Sequence, residues 1–193
     1  GGCISPLLAN IALHGLETEI QTRFPQNSRG KAPHFYPPKV VRYADDFVVL
    51  HKSREVVEQC QKVAEQWLAP MGLELKPSKT RLVHTLQKQD GMAGFDFLGF
   101  HIQHYPVGKH RSGQDRWGNP LGTKTIIKPS TKSVKRHTQK LRRIIRANRT
   151  STQEALIKML NPLICGWSRY FAIVSTRKTL SKLREELFPI LWG

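Results

Sequence analysis

Residues 39–50 read Lys39-Val40-Val41-Arg42-Tyr43-Ala44-Asp45-Asp46-Phe47-Val48-Val49-Leu50, and no other stretch restricts the fold as sharply. Two runs rich in β-branched and aromatic residues, Lys39 to Tyr43 and Phe47 to Leu50, flank Ala44-Asp45-Asp46, a segment of hairpin-turn length. The expected product is an antiparallel pair with two acids at its tip. Adjacent carboxylates between mostly apolar strands are costly, because like charges at close range repel. At the end of a sheet they can instead hold a hard cation through oxygen. Magnesium suits so sparse a carboxylate site, with phosphates and water as its other ligands. Phosphoryl transfer with two metal ions is the chemistry such a site serves. Taken alone, these residues are better explained by an ordinary turn, where Asp is common, so the surroundings must decide.

The flanking patterns predict an α+β first half. Ser5 can cap a helix, Pro6 suits its first position, and Ile4, Leu7, Leu8, Ile11 and Leu16 recur at helical spacing. Gln21 to Pro38 is polar, with Pro and Gly, and reads as a loop. Ser53 opens the clearest helix, with Val56, Val57, Cys60, Val63, Ala64, Trp67 and Leu68 on one stripe and Pro70 and Gly72 as stops. Short strands are expected at Leu73–Leu75, Thr80–His84 and Phe95–His104. Residues 1–105 therefore read as helices layered on an antiparallel sheet. A connector spans 106–129, with a polar loop or long hairpin from Gly108 to Gly122.

Beyond Pro129 the pattern is wholly helical, which places a domain boundary near Ser130 and an all-α region over 130–193. A helix from Ser130 to Arg149 carries Val134, Leu141, Ile144 and Ile145 on one side. The capping-box pattern Ser151-Thr152-Gln153-Glu154 opens a second helix. Asn161-Pro162 resets the count for a third, with Leu163, Ile164, Trp167, Tyr170 and Phe171, and Thr176 to about Leu191 forms a fourth. Four helices predict a small bundle.

Charge separates the halves more clearly than hydropathy does. Lys plus Arg number 31 against 14 Asp plus Glu, a formal charge of +17. Residues 1–100 contribute a net +2 and residues 101–193 a net +15. The first helix of the basic half carries Lys132, Lys135, Arg136, Lys140, Arg142, Arg143, Arg146 and Arg149 opposite its apolar stripe, with no acid among them. A solvated face needs only mixed signs, so this pattern points to a polyanion whose phosphates it neutralises. No apolar run approaches the roughly 18 to 20 residues of a membrane span. Cys3, Cys60 and Cys165 are odd in number, far apart and without a CxxC pair, which argues against a disulfide framework. The expectation is a cytosolic or organellar chain with a nucleic-acid partner and no membrane.

Several motifs then fall in a meaningful order: Gly1-Gly2-Cys3-Ile4-Ser5-Pro6-Leu7-Leu8-Ala9-Asn10-Ile11, Arg42-Tyr43-Ala44-Asp45-Asp46-Phe47, Gly72-Leu73 with Lys79-Thr80, Phe97-Leu98-Gly99-Phe100, and Gly166-Trp167-x-x-Tyr170-Phe171. In this order the chain resembles the reverse transcriptase–maturase proteins encoded by group II introns. The resemblance covers nearly the whole chain, from a partial polymerase palm to the helical thumb, or maturase, region. It implies an RNA-directed DNA polymerase that works with magnesium and deoxynucleotides on an RNA template and DNA primer, and that also binds intron RNA in splicing. Asp45 becomes the principal metal ligand and Asp46 its weaker neighbour. Gly1, Gly2, Ser5, Pro6 and Tyr43 line the nascent base pair. Lys79 is assigned to the pyrophosphate leaving group, although a solvated turn lysine after Pro77-Ser78 fits as well. Phe97, Leu98 and Gly99 form a primer-grip hairpin with Phe100, and the basic helix tracks RNA phosphates.

The departures also carry expectations. The family's palm uses a further carboxylate on an earlier strand, and fingers that close on the nucleotide, both of which would precede Gly1. Its usual Pro-Gln before Gly-Gly is absent. The resemblance therefore implies a fragment, inactive alone and complemented by an amino-terminal half; no C-terminal nuclease module is visible. A maturase that binds RNA without polymerising is the alternative reading. A bacterial reverse transcriptase outside introns is a third, disfavoured by the maturase-like helices. His101, His104 and His110 lack a Cys partner for zinc, and the cysteines lack a His-Asp relay. Trp117 and Tyr105 beside Arg111 and Arg116 can stack on bases, but a simple loop cluster is the plainer account.

Overall fold

The computed structural model describes residues 4–24, 37–88, 93–115 and 117–192; Gly1, Gly2 and Arg116 lie outside them. The chain forms two compact units, Gly1–Leu82 and Val83–Gly193. The observed class is α+β: among the described residues, six α-helices and two small antiparallel sheets. No described helix is long and apolar enough to cross a membrane.

The first unit begins with α1 (Ser5–Ala12), where Ser5 is the first helical residue and not the cap. The apolar period noted from Ile4 to Leu16 does not continue as one helix. Gly15, at φ +94, turns the chain into α2 (Leu16–Arg23), whose last turn occupies part of the segment expected to be a loop. A Cβ on Gly15 would also press on the Trp67 ring at 3.2 Å, so this position needs Gly for both conformation and space. β1 (Lys39–Tyr43) pairs with β2 (Asp46–Leu50), and α3 (Arg54–Leu68) follows from an Ser53 N-cap and ends at a short 3-10 turn before Gly72. Leu13, Leu16, Ile20, Cys60, Ala64 and Leu68 form the core, covered by Val40, Phe47 and Val49 from the hairpin. The apolar period of α3 thus buries its stripe on α2 and the sheet, as the hydrophobic effect requires.

The second unit contains the larger sheet. The run read as one strand, Phe95–His104, is two: β3 (Phe95–Phe97) and β4 (Phe100–Pro106), joined by Leu98-Gly99. β5 (Thr123–Pro129) pairs with the whole of β4, although its sequence was assigned to the connector. The strands expected at Leu73–Leu75 and Thr80–His84 are absent. Between β4 and β5 the polar excursion is organised by Asp115, whose Oδ1 accepts from the N–H groups of Trp117 and Asn119 at 2.8 Å each. The Asn119 side-chain amide, which donates to Oδ2 at 3.0 Å, is the first cause, with those backbone bonds behind it, that the Asp115 carboxyl lies below its ordinary pKa.

Three helices, not four, complete this unit. α4 (Thr131–Ala147) starts at Ser130, whose hydroxyl accepts from Ser133 N–H. α5 (Gln153–Tyr170) is capped by Thr152, not Ser151, and runs unbroken through Pro162. Proline forfeits the bond to the Lys158 carbonyl, but buried Leu160 and the packed Leu163 and Ile164 hold the helix on either side of it. α6 (Arg177–Trp192) closes the unit. Leu141 and Ile145 of α4 meet Leu160 of α5 and Leu183 and Leu187 of α6 in a continuous core.

Candidate functional site

The first constellation is the tip of the β1–β2 hairpin. Tyr43 pairs with Asp46, so the loop is only Ala44-Asp45, and Asp46 belongs to the strand instead of the turn. Ala44 adopts φ +52, a left-handed conformation costly for any residue with a Cβ. Strain of this kind persists only where neighbours over-determine it, and it clusters at functional sites. Here the neighbour is Arg42. β1 alternates, with Val40 and Arg42 half-buried and Val41 and Tyr43 exposed. From that inward position Arg42 Nε donates to Glu17 Oε1 of α2 at 3.2 Å, and Nη1 donates to Asn10 Oδ1 of α1 at 2.8 Å and to the Ala44 carbonyl at 3.3 Å. One guanidinium therefore joins the helix that carries Ser5 and Pro6 to the turn that carries Asp45. In the sequence Arg42 is marked only as a charge at an inward position of an alternating strand.

Asp45 and Asp46 are both exposed, and neither pairs with a described side chain. Among the described residues no group of three or more His, Cys, Asp or Glu gathers around a common point. Two unneutralised carboxylates on a rigid turn nevertheless match the donor chemistry of a hard divalent cation that also draws ligands from phosphates and water. Lys79 lies in an exposed turn whose backbone bonds to Lys76 O, and no hydrogen bond or ion pair joins it to the carboxylates. Ser5 and Pro6 are exposed in the first turn of α1, beside an uncovered apolar stripe of Leu7, Leu8 and Ile11. Cys60 is buried in the core, and burial pushes its thiol up to about 11, away from nucleophilic character.

The second unit holds another hairpin with a two-residue tip. Phe97 pairs with Phe100 across Leu98 (φ +49) and Gly99 (φ +81), the positive pair of a type I′ turn, where the Ala44-Asp45 tip has only its first residue at positive φ. Ala44 and Leu98 are the described non-glycine residues with positive φ, and each opens a two-residue hairpin tip. Both carbonyls of the second tip are tied down. Tyr170 OH of α5 donates to Leu98 O at 2.9 Å, and Ser130 N–H at the start of α4 donates to Gly99 O at 2.8 Å. Below them Phe100 packs on Phe171 at 4.9 Å and on Tyr170 at 5.3 Å between ring centres. The stack continues from Phe171 through Trp167 to His137, whose ring lies nearly parallel to the indole at 4.9 Å. The Gly166-Trp167-x-x-Tyr170-Phe171 motif is thus the support of the Phe97–Phe100 hairpin. His101 and His104 do not converge: His101 Nδ1 meets Asp96 Oδ1, while His104 Nδ1 meets Thr85 Oγ1, both at 2.7 Å.

The basic helix keeps most of its expected face. Lys132, Lys135, Arg136, Lys140, Arg143 and Arg146 are exposed, while His137, Thr138, Leu141 and Ile145 are buried. Arg142 departs from the outward face: it is half-buried and donates to Glu186 of α6 at 3.2 Å. Arg149 lies beyond the helix, in the turn that follows it.

A family model described as Reverse transcriptase (RNA-dependent DNA polymerase) matches residues 1–102, and one described as Group II intron, maturase-specific domain matches residues 134–193. A direct comparison with curated proteins finds no match. The acidic hairpin and the Phe97–Phe100 hairpin fall in the first matched segment and nearly all of the basic helix in the second, so the chain belongs to the reverse transcriptase family and is of the kind encoded by group II introns, with their maturase domain.

Proposed function

We propose that this chain supplies the catalytic-carboxylate hairpin, the primer-contacting hairpin and the RNA-binding thumb of an RNA-directed DNA polymerase that also acts as an intron maturase. The observation that carries the reading is the strained, Arg42-braced tip that presents Asp45 and Asp46 with no neutralising partner among the described residues. Unpaired acids would weaken a surface made only to bind phosphates; they make sense where a divalent cation joins them. Asp45 and Asp46 would hold magnesium, which supplies charge neutralisation for nucleotidyl transfer when bound. Tyr43, on the same strand face as Asp46, would lie against the nucleotide, as would Ser5 and Pro6 at the start of α1, the helix that Arg42 grips at Asn10. Lys79 would meet the pyrophosphate. Phe97, Leu98 and Gly99 would contact the primer, their backbone fixed by Tyr170 and Ser130. Exposed cations of α4 would neutralise template or intron RNA phosphates.

Single-nucleotide incorporation on a primed RNA template with magnesium tests this, with an amino-terminal palm and fingers half supplied beside the chain. Asp45→Ala is expected to lower the rate by about a thousandfold, equivalent to about 4 kcal/mol of transition-state stabilisation, and Asp46→Ala by less. A parent-like rate in Asp45→Ala would remove Asp45 from the site. The acid-free face of α4 favours one second reading, a maturase that binds RNA without polymerising. Salt-dependent RNA binding with no incorporation in any setting would select it.

A further inference from the structure

One face of the β3–β4–β5 sheet has no part in the reading above. Register sets His101 opposite Asp96 on one side and Lys128 on the other, and Tyr105 opposite Lys124. Directly opposed residues share a face, as do alternate residues along a strand, so Gln103 lies on this face between His101 and Tyr105. The three are linked in a row: His101 Nδ1 lies 2.7 Å from Asp96 Oδ1, its Nε2 lies 3.3 Å from Gln103 Oε1, and Tyr105 OH donates to Gln103 Oε1 at 2.7 Å. Half-burial of His101, Gln103 and Tyr105 accounts for part of this order, but a sheet face has no need of three polar side chains joined in one row. Nor does it need an uncompensated charge, and here Lys124 and Lys128 have no ion pair among the described residues. Asp96 is the acid of this face, and His101 occupies it. Asp96 also lines a surface recess with Lys132, Lys135 and Arg136, so the face runs into the basic side of α4.

We propose that this polar face, through Lys124, Lys128, Gln103 and Tyr105, is a second contact surface for the RNA backbone, continuous with α4 at the Asp96 recess. It rests on the nucleic-acid reading of α4 and extends it from a helix to a helix and a sheet. The two lysines stand about 13 Å apart along β5, at roughly 3.3 Å per residue, so they neutralise separate phosphates. Between them the Gln103 amide and the Tyr105 hydroxyl offer uncharged hydrogen bonding suited to a ribose 2′-hydroxyl, which both donates and accepts. A membrane surface would call for apolar side chains inserted beside the cations, whereas this face has only Ile126 among its polar groups.

The test is fluorescence anisotropy of the full chain with a labelled hairpin RNA over a range of salt. Three proteins are compared: the parent, Lys124→Gln with Lys128→Gln, and Lys135→Gln with Arg143→Gln on α4, each checked for an unchanged melting temperature. Loss of two phosphate contacts predicts a slope of log affinity against log salt shallower by about 1.5 for either pair, and by their sum when combined. Tyr105→Phe is expected to narrow the preference for RNA over DNA of the same sequence. A sheet pair with the parent slope and affinity, beside an α4 pair that loses both, would overturn the second surface and leave α4 standing. Parent behaviour in both pairs would overturn the α4 reading too. Anionic vesicles that outcompete RNA through the same lysines would overturn the choice of partner.

Discussion

Arg42 shows how one side chain can convert a strained turn into a fixed one. Its three acceptors lie on α1, α2 and the Ala44 carbonyl, and its side chain is only 17% exposed. Arg42→Ala leaves Glu17 and Asn10 without their donor and is expected to cost about 1–3 kcal/mol, read as a lowered melting temperature. Arg42→Lys keeps the charge but cannot span three acceptors with a rigid fork. It is expected to recover part of the stability while incorporation stays well below the parent. Recovery of both together would make Arg42 a structural residue only. His137 sets a different residue-scale behaviour. Burial, with Lys140 as a second cause, pushes its imidazole below the ordinary value near 6.5, and its Nε2 has no hydrogen-bond partner among the described residues. The unfolded chain then binds more protons than the folded one at mildly acidic pH, so stability rises with pH. The contribution is complete above about pH 6.5 and is lost as the pH falls towards the depressed folded value. His137→Phe, which keeps an aromatic ring on Trp167, is expected to flatten the loss of melting temperature between about pH 7 and pH 5.

At the scale of elements, the two hairpins explain what could be read from sequence and what could not. The β1–β2 pair and α3 were legible because alternation, turn length and a helical stripe all pointed the same way. The break between α1 and α2 was not, because the apolar period crosses Gly15 in sequence while the chain turns there in space. Pro162 misled in the opposite sense: local chemistry says stop, and packing of α5 on α4 says continue. β5 was hidden by its lysines, which suit an outward sheet face but dilute the apolar signal of a strand. Of the site, the acids, the Leu98-Gly99 turn and the cationic stripe were visible as residue types. Their supports, Arg42 and the Tyr170 hydroxyl, were not, since a brace is defined by its partner. Tyr170→Phe tests that brace. Removing its bond to Leu98 O is expected to cost about 1 kcal/mol and to raise KM for primer–template more than it lowers kcat. Equal KM values in the two proteins would place Tyr170 in packing alone.

Across the whole molecule, charge is unevenly distributed along the chain. Residues 1–100 are near neutrality and carry the acidic tip, while residues 101–193 hold a net +15 and the basic helix. Phosphate neutralisation and cation binding call for opposite local potentials. On the proposed function the acids serve chemistry and the basic half serves binding, and the two are separable. The most direct measurement takes one preparation of Asp45→Ala and one of the parent, supplies each with the amino-terminal half, and reads both incorporation and RNA affinity at fixed salt. The predicted result is a roughly thousandfold loss of incorporation with RNA affinity unchanged or slightly tighter, because a charge repelling phosphates has been removed. Incorporation retained, or affinity lost in parallel with it, would contradict the division.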